Sequence, residues 1–426
     1  KKNQPVLLLT CNYHKTRKEQ NVVAKSTFFT GQPVFGQLIK YLDRDEIIKI
    51  SRESGGERYV KKFDMWTHLL VMLYAVIMRF DSLREIEASA LAYVNRLPHL
   101  KMGSISRRST LAEANGRRKE ALFGRIYFDL LNAHRGELLA DSRSPGRPRW
   151  LGKLKIIDST TVTLFSNLIF KGVGRDPKLG RKKGGVKVHT IINANEGVPG
   201  DIKFTSAATH DSFMLVPTDF DCGDILAMDR AYIDYEKMEE LNRRGVTYVT
   251  KMKKNLAYEV LEEYELLDDG KYRKRTVKTV LFRKGDVSHK ARIVTYTEMK
   301  RSKRGVKEQT VSLLTNSIDL DVDEVVAIYL RRWQIESLFK QIKQNFPLRY
   351  FYGESENAIK IQIWVTLIAN LLMTLAQRRL HRHWSFSGLA TMMRIILMHY
   401  IDMIEFFEHP ERDWKMMLEN AAGTPP

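Results

Sequence analysis

An α/β protein, with short β-forming runs held between two helical regions, is what this sequence predicts, and three observations carry the expectation. From Phe35 to about His134 the apolar residues recur at helical spacing. Between Leu154 and Thr315 the pattern changes to short apolar runs bounded by Gly, Asp and Asn. From Val322 onward helical spacing returns and persists to the C-terminus. Nothing repeats at a fixed period, and no segment is of low complexity.

Taken in order, residues 1–25 read as a basic, weakly structured arm. A helical region over 26–140, expected to bind DNA, follows, with strong windows at Gly36 to Ser51, Lys62 to Arg79 and Ser82 to Asn95. Another helix is expected from Ser106, where Ser and Thr cap signals precede Leu111, Ala112 and Ala114, then Ala121, Leu122, Ile126 and Leu130. Arg107 and Arg108 stand at its start, a placement that suits phosphate contact or groove entry as well as it suits a plain solvated cap. Residues 141–153 form a basic linker, with Pro145, Gly146 and Pro148 among Arg143, Arg147, Arg149 and Lys153.

Strands are expected at Leu154 to Asp158, Val186 to Ala194, Asp201 to Thr205, Ile225 to Asp229 and Val246 to Lys251, with a helix at Tyr235 to Arg243. The turn joining the first two strands is rich in Gly and cations, from Gly172 to Gly185, and includes Lys182 and Lys183. It lacks the GxxxxGK[ST] pattern of a nucleotide-binding loop, so a cationic hairpin gripping a nucleic-acid backbone is the favoured reading. Residues 253–310 form a charged stretch with β runs at Thr276 to Phe282 and Ala291 to Thr297, and Val311 to Thr315 reads as another strand. A helical C-terminal region over 377–426 offers surface for dimerisation.

The chain has 426 residues and a net charge of +20, spread along its length rather than confined to one tail. Extended positive surfaces follow, and polyanions, nucleic acid first, are the natural partners. Cys11 and Cys222, the only cysteines, are too far apart in sequence for a CxxC site, which argues against structural zinc or a disulfide framework and suits a reducing cytoplasm. The start, without an initiator Met, reads as processed or trimmed and shows no signal-peptide pattern. Met65 to Met78 is too short to cross a membrane, and Ile361 to Ala376 carries Gln362 and Asn370, so both read as buried helices.

The segment Tyr329 to Lys343 concentrates the chemistry. Read as one helix at about 100° per residue, it places Tyr329, Arg332, Glu336, Lys340 and Lys343 within an arc of roughly 80°. That polar arc runs along the edge of an apolar stripe formed by Ile328, Ile335, Leu338, Phe339, Ile342 and Phe346, where a cleft would lie. Ordinary i,i+4 ion pairs on a solvated face are the bland alternative. Two further acids weigh against it. Asp158 ends the apolar run Leu154-Lys155-Ile156-Ile157, and Asp229 ends Ile225-Leu226-Ala227-Met228. An acid at the carboxyl end of a buried strand faces a crevice more often than a core. Phosphodiester cleavage needs such a set, because two hard divalent ions held by carboxylates activate the attacking oxygen and stabilise the leaving one.

In this order Asp158, Asp229 and Glu336 resemble the DDE triad of transposases with an RNase H-like core. The spacing Tyr329-x2-Arg332-x3-Glu336-x6-Lys343 matches the YREK signature of the IS4 family of bacterial insertion-sequence transposases. Asp229-Arg230-Ala231-Tyr232, Lys187-Val188-His189 and His210-Asp211-Ser212 resemble further segments of that catalytic domain. Phe35-Gly36-Gln37-Leu38 and the helices after it are similar to an N-terminal domain often fused to such enzymes. The resemblance runs from about residue 30 to 376. It implies metal-dependent cut-and-paste transposition, with Asp158, Asp229 and Glu336 holding two Mg²⁺ ions, Mn²⁺ serving as a substitute. Tyr329, Arg332 and Lys343 would contact phosphates, and Lys340, Lys187, His189 and Arg230 are further candidates for DNA contact. The implied partners are double-stranded DNA, both terminal inverted repeats and target, and a second copy of the chain in the synaptic complex. The resemblance makes 154–252 and 311–376 the two parts of the catalytic core and 253–310 its β-rich insertion subdomain. Related enzymes cut the second strand through a hairpin and park a flipped base on an aromatic, in one case a Trp of that insertion. None of the six tryptophans lies there, leaving Tyr264, Tyr272, Phe282 and Tyr296. His381 and His383 read as surface residues.

Overall fold

A computed structural model describes residues 31–102, 107–139, 146–163, 185–253, 255–268, 271–302 and 305–412. The cationic turn with Lys182 and Lys183, the first part of the linker (141–145) and the whole N-terminal arm lie outside them. Nine strands form one mixed sheet among the described residues: β1 (Leu154–Thr163), β2 (Gly185–Asn193), β3 (Pro199–Ser206), β4 (Ile225–Met228), β5 (Thr247–Lys251), β6 (Glu259–Leu266), β7 (Arg273–Lys284), β8 (Val287–Ser302) and β9 (Gly305–Thr315). Their order is β3-β2-β1-β4-β5-β9-β8-β7-β6. β1, β4 and β5 run parallel, β2 is antiparallel to β1 and β3, and β9 joins β5 antiparallel. The four residues of β4 are apolar and all buried, as a parallel strand covered on both faces requires.

Alternation along these strands divides the core in two. Ile157, Leu226, Met228, Tyr248 and Leu314 point to a face packed by Met238 and Leu241 of a helix at Tyr235–Arg243. Ile156, Ala227, Val249 and Leu313 point to the opposite face, covered by helices Val322–Arg331 and Trp333–Asn345. Helices on both faces of the parallel centre of this mixed sheet make a three-layer α/β core.

The N-terminal helices are α1 (Val34–Leu38), α2 (Arg44–Glu53), α3 (Met65–Met78), α4 (Leu83–Ala92), α5 (Arg108–Arg117) and α6 (Glu120–Leu138); the helix at Tyr235–Arg243 is α7. After it come α8 (Val322–Arg331), α9 (Trp333–Asn345), α10 (Glu356–Arg378), α11 (Phe386–Ile396) and α12 (Met403–Glu408). The single window expected over Gly36 to Ser51 is two helices, because Asp43 caps α2 by accepting from the amides of Asp45 and Glu46. The helix expected from Ser106 is likewise two, α5 and α6. Thirteen of the fourteen residues of α3 are buried, so it is a core helix. Helix α10 is long and apolar enough to cross a membrane, yet 89% of its most apolar window is buried inside the protein.

Those helices share a core with the sheet. Gly124 of α6 lies against Trp364 of α10 so closely that a Cβ there would sit 2.9 Å from the indole. Trp364 donates to Glu120 at 2.6 Å and packs against Tyr127, Phe128 and Phe204, while the Tyr127 hydroxyl donates to the Pro199 carbonyl at 2.7 Å. The insertion, β6 to β9, is tied to the helix that follows it. Arg292 donates to the carbonyls of Ile318 and Leu320 at 2.9 and 2.7 Å, and Arg275 meets Asp323 at 2.9 Å. These contacts fix where α8 begins, and hence where Tyr329 and Arg332 fall.

Candidate active site

The pairing of β1 with β4 brings the two aspartates together. Ile157 lies beside Met228 as the last parallel pair, so Asp158 and Asp229 are each one residue beyond it, Asp229 just past β4 and Asp158 within β1. That strand runs on to Thr163 rather than ending at Asp158 as expected, because it keeps pairing with β2. Both aspartates continue on the face that carries Ile156 and Ala227, the face covered by α9. Asp229 turns into a short helical turn by accepting from the Ala231 amide at 2.9 Å. Asp158 accepts from the Ser159 amide at 2.8 Å.

Glu336 arrives from α9, but the expected continuous helix from Tyr329 to Lys343 is not there. It breaks at Arg332, the last cap of α8 and the first of α9, with the Arg332 amide bonded back to the Tyr329 carbonyl and the Ile335 amide to the Arg332 carbonyl. The break aims the Arg332 side chain at the acids. One of its terminal nitrogens stands 2.6 Å from Glu336 and 3.6 Å from Asp158. Arg332 is buried, and its guanidinium lies 5.7 Å from the Tyr329 ring centroid and 5.5 Å from that of Trp333. Burial works against its charge, but Tyr329, Glu336 and Asp158 outweigh burial and raise its pKa.

Asp158 registers the crowding. Burial is the largest influence on it and, with Asp229 and Glu336 nearby, raises its pKa from 3.8 to about 6 despite the Ser159 amide and Arg332. The Tyr329 hydroxyl is also raised, by burial first, with Asp229 and Glu336 adding and Arg332 opposing. The three acids, Arg332 and Tyr329 thus share one electrostatic neighbourhood. Among the described residues, no three His, Cys, Asp or Glu side chains stand close enough for a ready-made metal cage. A divalent ion fits by chemistry rather than by prior assembly. The donors are hard oxygens, three like charges need a counter-charge, and Arg332 supplies only part of it.

The other expected contacts divide into free and occupied groups. Lys340 and Lys343, one and two turns beyond Glu336, are exposed and have no partner among the described residues, as are Arg230, Arg107 and Arg108. Lys187 is held by the Thr209 carbonyl at 2.8 Å and Asp211 at 3.3 Å. His189 is buried, donates or accepts through Nε2 with Thr205 at 2.7 Å, and has its pKa lowered to about 4 by burial. Of the two roles open to His189, substrate contact and scaffold hydrogen bonding, its burial and its bond to Thr205 favour the second. Asp211 was quoted only as part of a motif, yet it is central here. It accepts from the Ser159 hydroxyl at 2.7 Å, besides Lys187, and so ties down the residue next to Asp158. Of the four insertion aromatics named above, Tyr272, Phe282 and Tyr296 are buried and Tyr264 is exposed, as is Tyr258 of the same stretch.

With this geometry in place, the kinship of the chain is clear. Residues 150–372 match the family described as the transposase DDE domain, which spans β1 to α10 and contains all three acids. The chain belongs to the DDE transposase family, enzymes that cleave DNA and transfer its strands. Residues 30–102 match a second family, described as a domain of unknown function. A protein of Sinorhizobium fredii named as transposase y4zB is 29% identical over 278 residues, covering 63% of this chain and 71% of that one. A protein of Synechocystis named as the transposase of insertion sequence element IS4SA is also 29% identical, over 273 residues, with the same coverage of 63% and 71%. A third, from Geobacillus stearothermophilus and named for element IS5377, is 23% identical, covering 52% of this chain and 55% of its own.

Proposed function

We propose that the protein is the transposase of a bacterial insertion sequence of the IS4 type and moves its element by cut and paste. The observation that carries this reading is the junction at Arg332, which couples Glu336 to Asp158 while the β1–β4 register sets Asp229 beside Asp158. The strand order β3-β2-β1-β4-β5, with β2 reversed, supports an RNase H-like core. The matching relatives named for insertion sequences support the element type.

Asp158, Asp229 and Glu336 would hold two Mg²⁺ ions, or Mn²⁺, which when bound activate the attacking oxygen and stabilise the leaving one. The chain's own residues do the rest. Arg332 orients Glu336 and neutralises part of the acid cluster, and a DNA phosphate entering the site offers it a second anionic partner. Lys340 and Lys343 continue the Glu336 face with free ammonium groups suited to backbone phosphates. Exposed Arg230 extends the positive rim beside Asp229. Together they hold the scissile bond at the transposon end for attack by water, and then the freed 3′-OH for attack on target DNA. Tyr264 and Tyr258 are exposed insertion aromatics on which a flipped base could stack, should the second strand be cut through a hairpin. Terminal inverted repeats, target DNA and a second protomer are the partners of this reaction, carried out at the bacterial nucleoid in the cytoplasm.

Glu336→Gln tests the assignment. It should abolish Mg²⁺-dependent cleavage of a duplex bearing the inverted repeat that borders the gene, while binding that duplex as the wild type does. Retained cutting would sink the triad. A time course that yields covalently closed ends supports the hairpin, and one that yields only open 3′-OH and 5′-phosphate ends excludes it.

A further inference from the structure

The loop between α2 and α3 carries a feature that the catalytic site does not use. Tyr59 is 83% exposed and has a φ of 62°, in the left-handed region that a bulky side chain enters only at a cost. Its neighbours hold it there. Glu57 accepts from the Ser51 hydroxyl at 2.6 Å and the Met65 amide at 2.9 Å, with buried Arg118 3.7 Å away. From the far side, Arg117 of α5 donates to the Arg58 carbonyl at 3.3 Å. A loop pinned at both flanks thus presents a strained aromatic to solvent. The Arg58 guanidinium lies 5.1 Å from the Tyr59 ring centroid.

The surroundings are cationic. Tyr59 to Phe63 line one side of an open cleft, and Thr110, Glu113, Ala114 and Arg117 of α5 line the other. Lys61 and Lys62 are exposed and without partners among the described residues, and Glu113 is the single acid in the lining. At about 100° per residue, Arg107, Thr110 and Arg117 fall within roughly 80° of one another, so the start of α5 extends the same positive face.

We infer that the loop Gly55–Phe63, together with the Arg107–Arg117 face of α5, is a DNA-docking surface of the N-terminal helices. Lys61, Lys62 and Arg117 contact backbone phosphates, and the Tyr59 ring, carried by Arg58, enters the adjoining groove. A rigid aromatic flanked by cations matches the alternation of groove and phosphate along a duplex, and the pinned backbone removes the entropy cost of ordering the loop on binding. This rests on the transposase reading above, since it takes the element's end as the ligand.

Two variants test it, with a duplex bearing the inverted repeat that borders the gene as the probe. Tyr59→Gly relieves the backbone strain, so it should melt no lower than the wild type, yet bind the duplex about fivefold or more weakly. Lys61→Gln with Lys62→Gln should reduce the slope of log affinity against log salt by about two. Unchanged affinity and slope in both variants, while the wild type binds and cuts, would overturn the loop assignment and leave the function standing. The same holds if they change only self-association. A wild type that neither binds nor cuts the duplex would overturn both.

Discussion

Replacing Asp158 by Asn should make the metal-free protein more stable at neutral pH. An aspartate held at about 6 in the folded chain and near 3.8 when unfolded is penalised for its charge. At about 1.36 kcal/mol per pH unit the difference is worth about 3 kcal/mol, already net of the attraction of Arg332. The sign follows from the direction. Below 3.8 the carboxyl is protonated in both states and costs nothing; the penalty grows as pH rises towards 6 and is constant above it. Asp158→Asn removes it, leaving Arg332 its 2.6 Å contact with Glu336.

The assay is thermal unfolding in chelator from pH 4 to 8. The Asn variant should match the wild type near pH 4 and melt a few degrees higher above pH 6.5, the shift being modest because so large a chain has a large unfolding entropy. Added Mg²⁺ should raise the wild type and leave the variant nearly unmoved. A variant that is less stable at pH 7.5, or displaced equally at every pH, would show that Asp158 is not a crowded, charge-penalised acid and would remove the argument for a cation at this place.

Three further outcomes are expected. Asp211→Asn weakens the hold on Ser159 and Lys187 and should lower cleavage about 10- to 100-fold, with affinity for the DNA end unchanged; loss of binding instead would make Asp211 a structural residue. Gly124→Ala puts a methyl 2.9 Å from Trp364 and should cost about 1–3 kcal/mol in denaturant unfolding, whereas a neutral effect would mean that α6 and α10 part easily. Buried His68, bonded to Asn115 at 2.8 Å, has its pKa lowered to about 3 by burial. Its folded value lies below the unfolded one, so stability is lost as pH falls from about 6.5 towards 3, by at most about 5 kcal/mol; His68→Gln should flatten that acid limb, and an unchanged limb would assign it to other groups.

The parts of the site legible from sequence are those encoded locally. Asp158 and Asp229 each close an apolar run, and because those runs pair in parallel, equal placement at their ends becomes adjacency in space, although β1 itself runs on to Thr163. Strand β6 leaves no signature in the sequence for a local reason too: Glu259, Glu262, Glu263 and Glu265 fill an edge strand with exposed faces, where no alternation of buried and solvated positions arises. Asp211 is harder. It reaches Ser159 from 52 positions away, on a one-turn helix with nothing buried, so only the completed sheet shows what it holds. The break at Arg332 is the most telling case. Leu330-Arg331-Arg332-Trp333 contains neither Gly nor Pro, and local propensity favours an unbroken helix. What opposes it is tertiary: Arg275 and Arg292 of the insertion fix the start of α8, Ile335 and Leu338 hold α9 to the sheet, and Glu336 and Asp158 draw Arg332 inward. A signature that reads as one helical face thus spans a one-residue junction between two helices. Its charge pattern could be read before folding, but its direction depends on contacts more than 150 residues apart, such as Arg332 with Asp158.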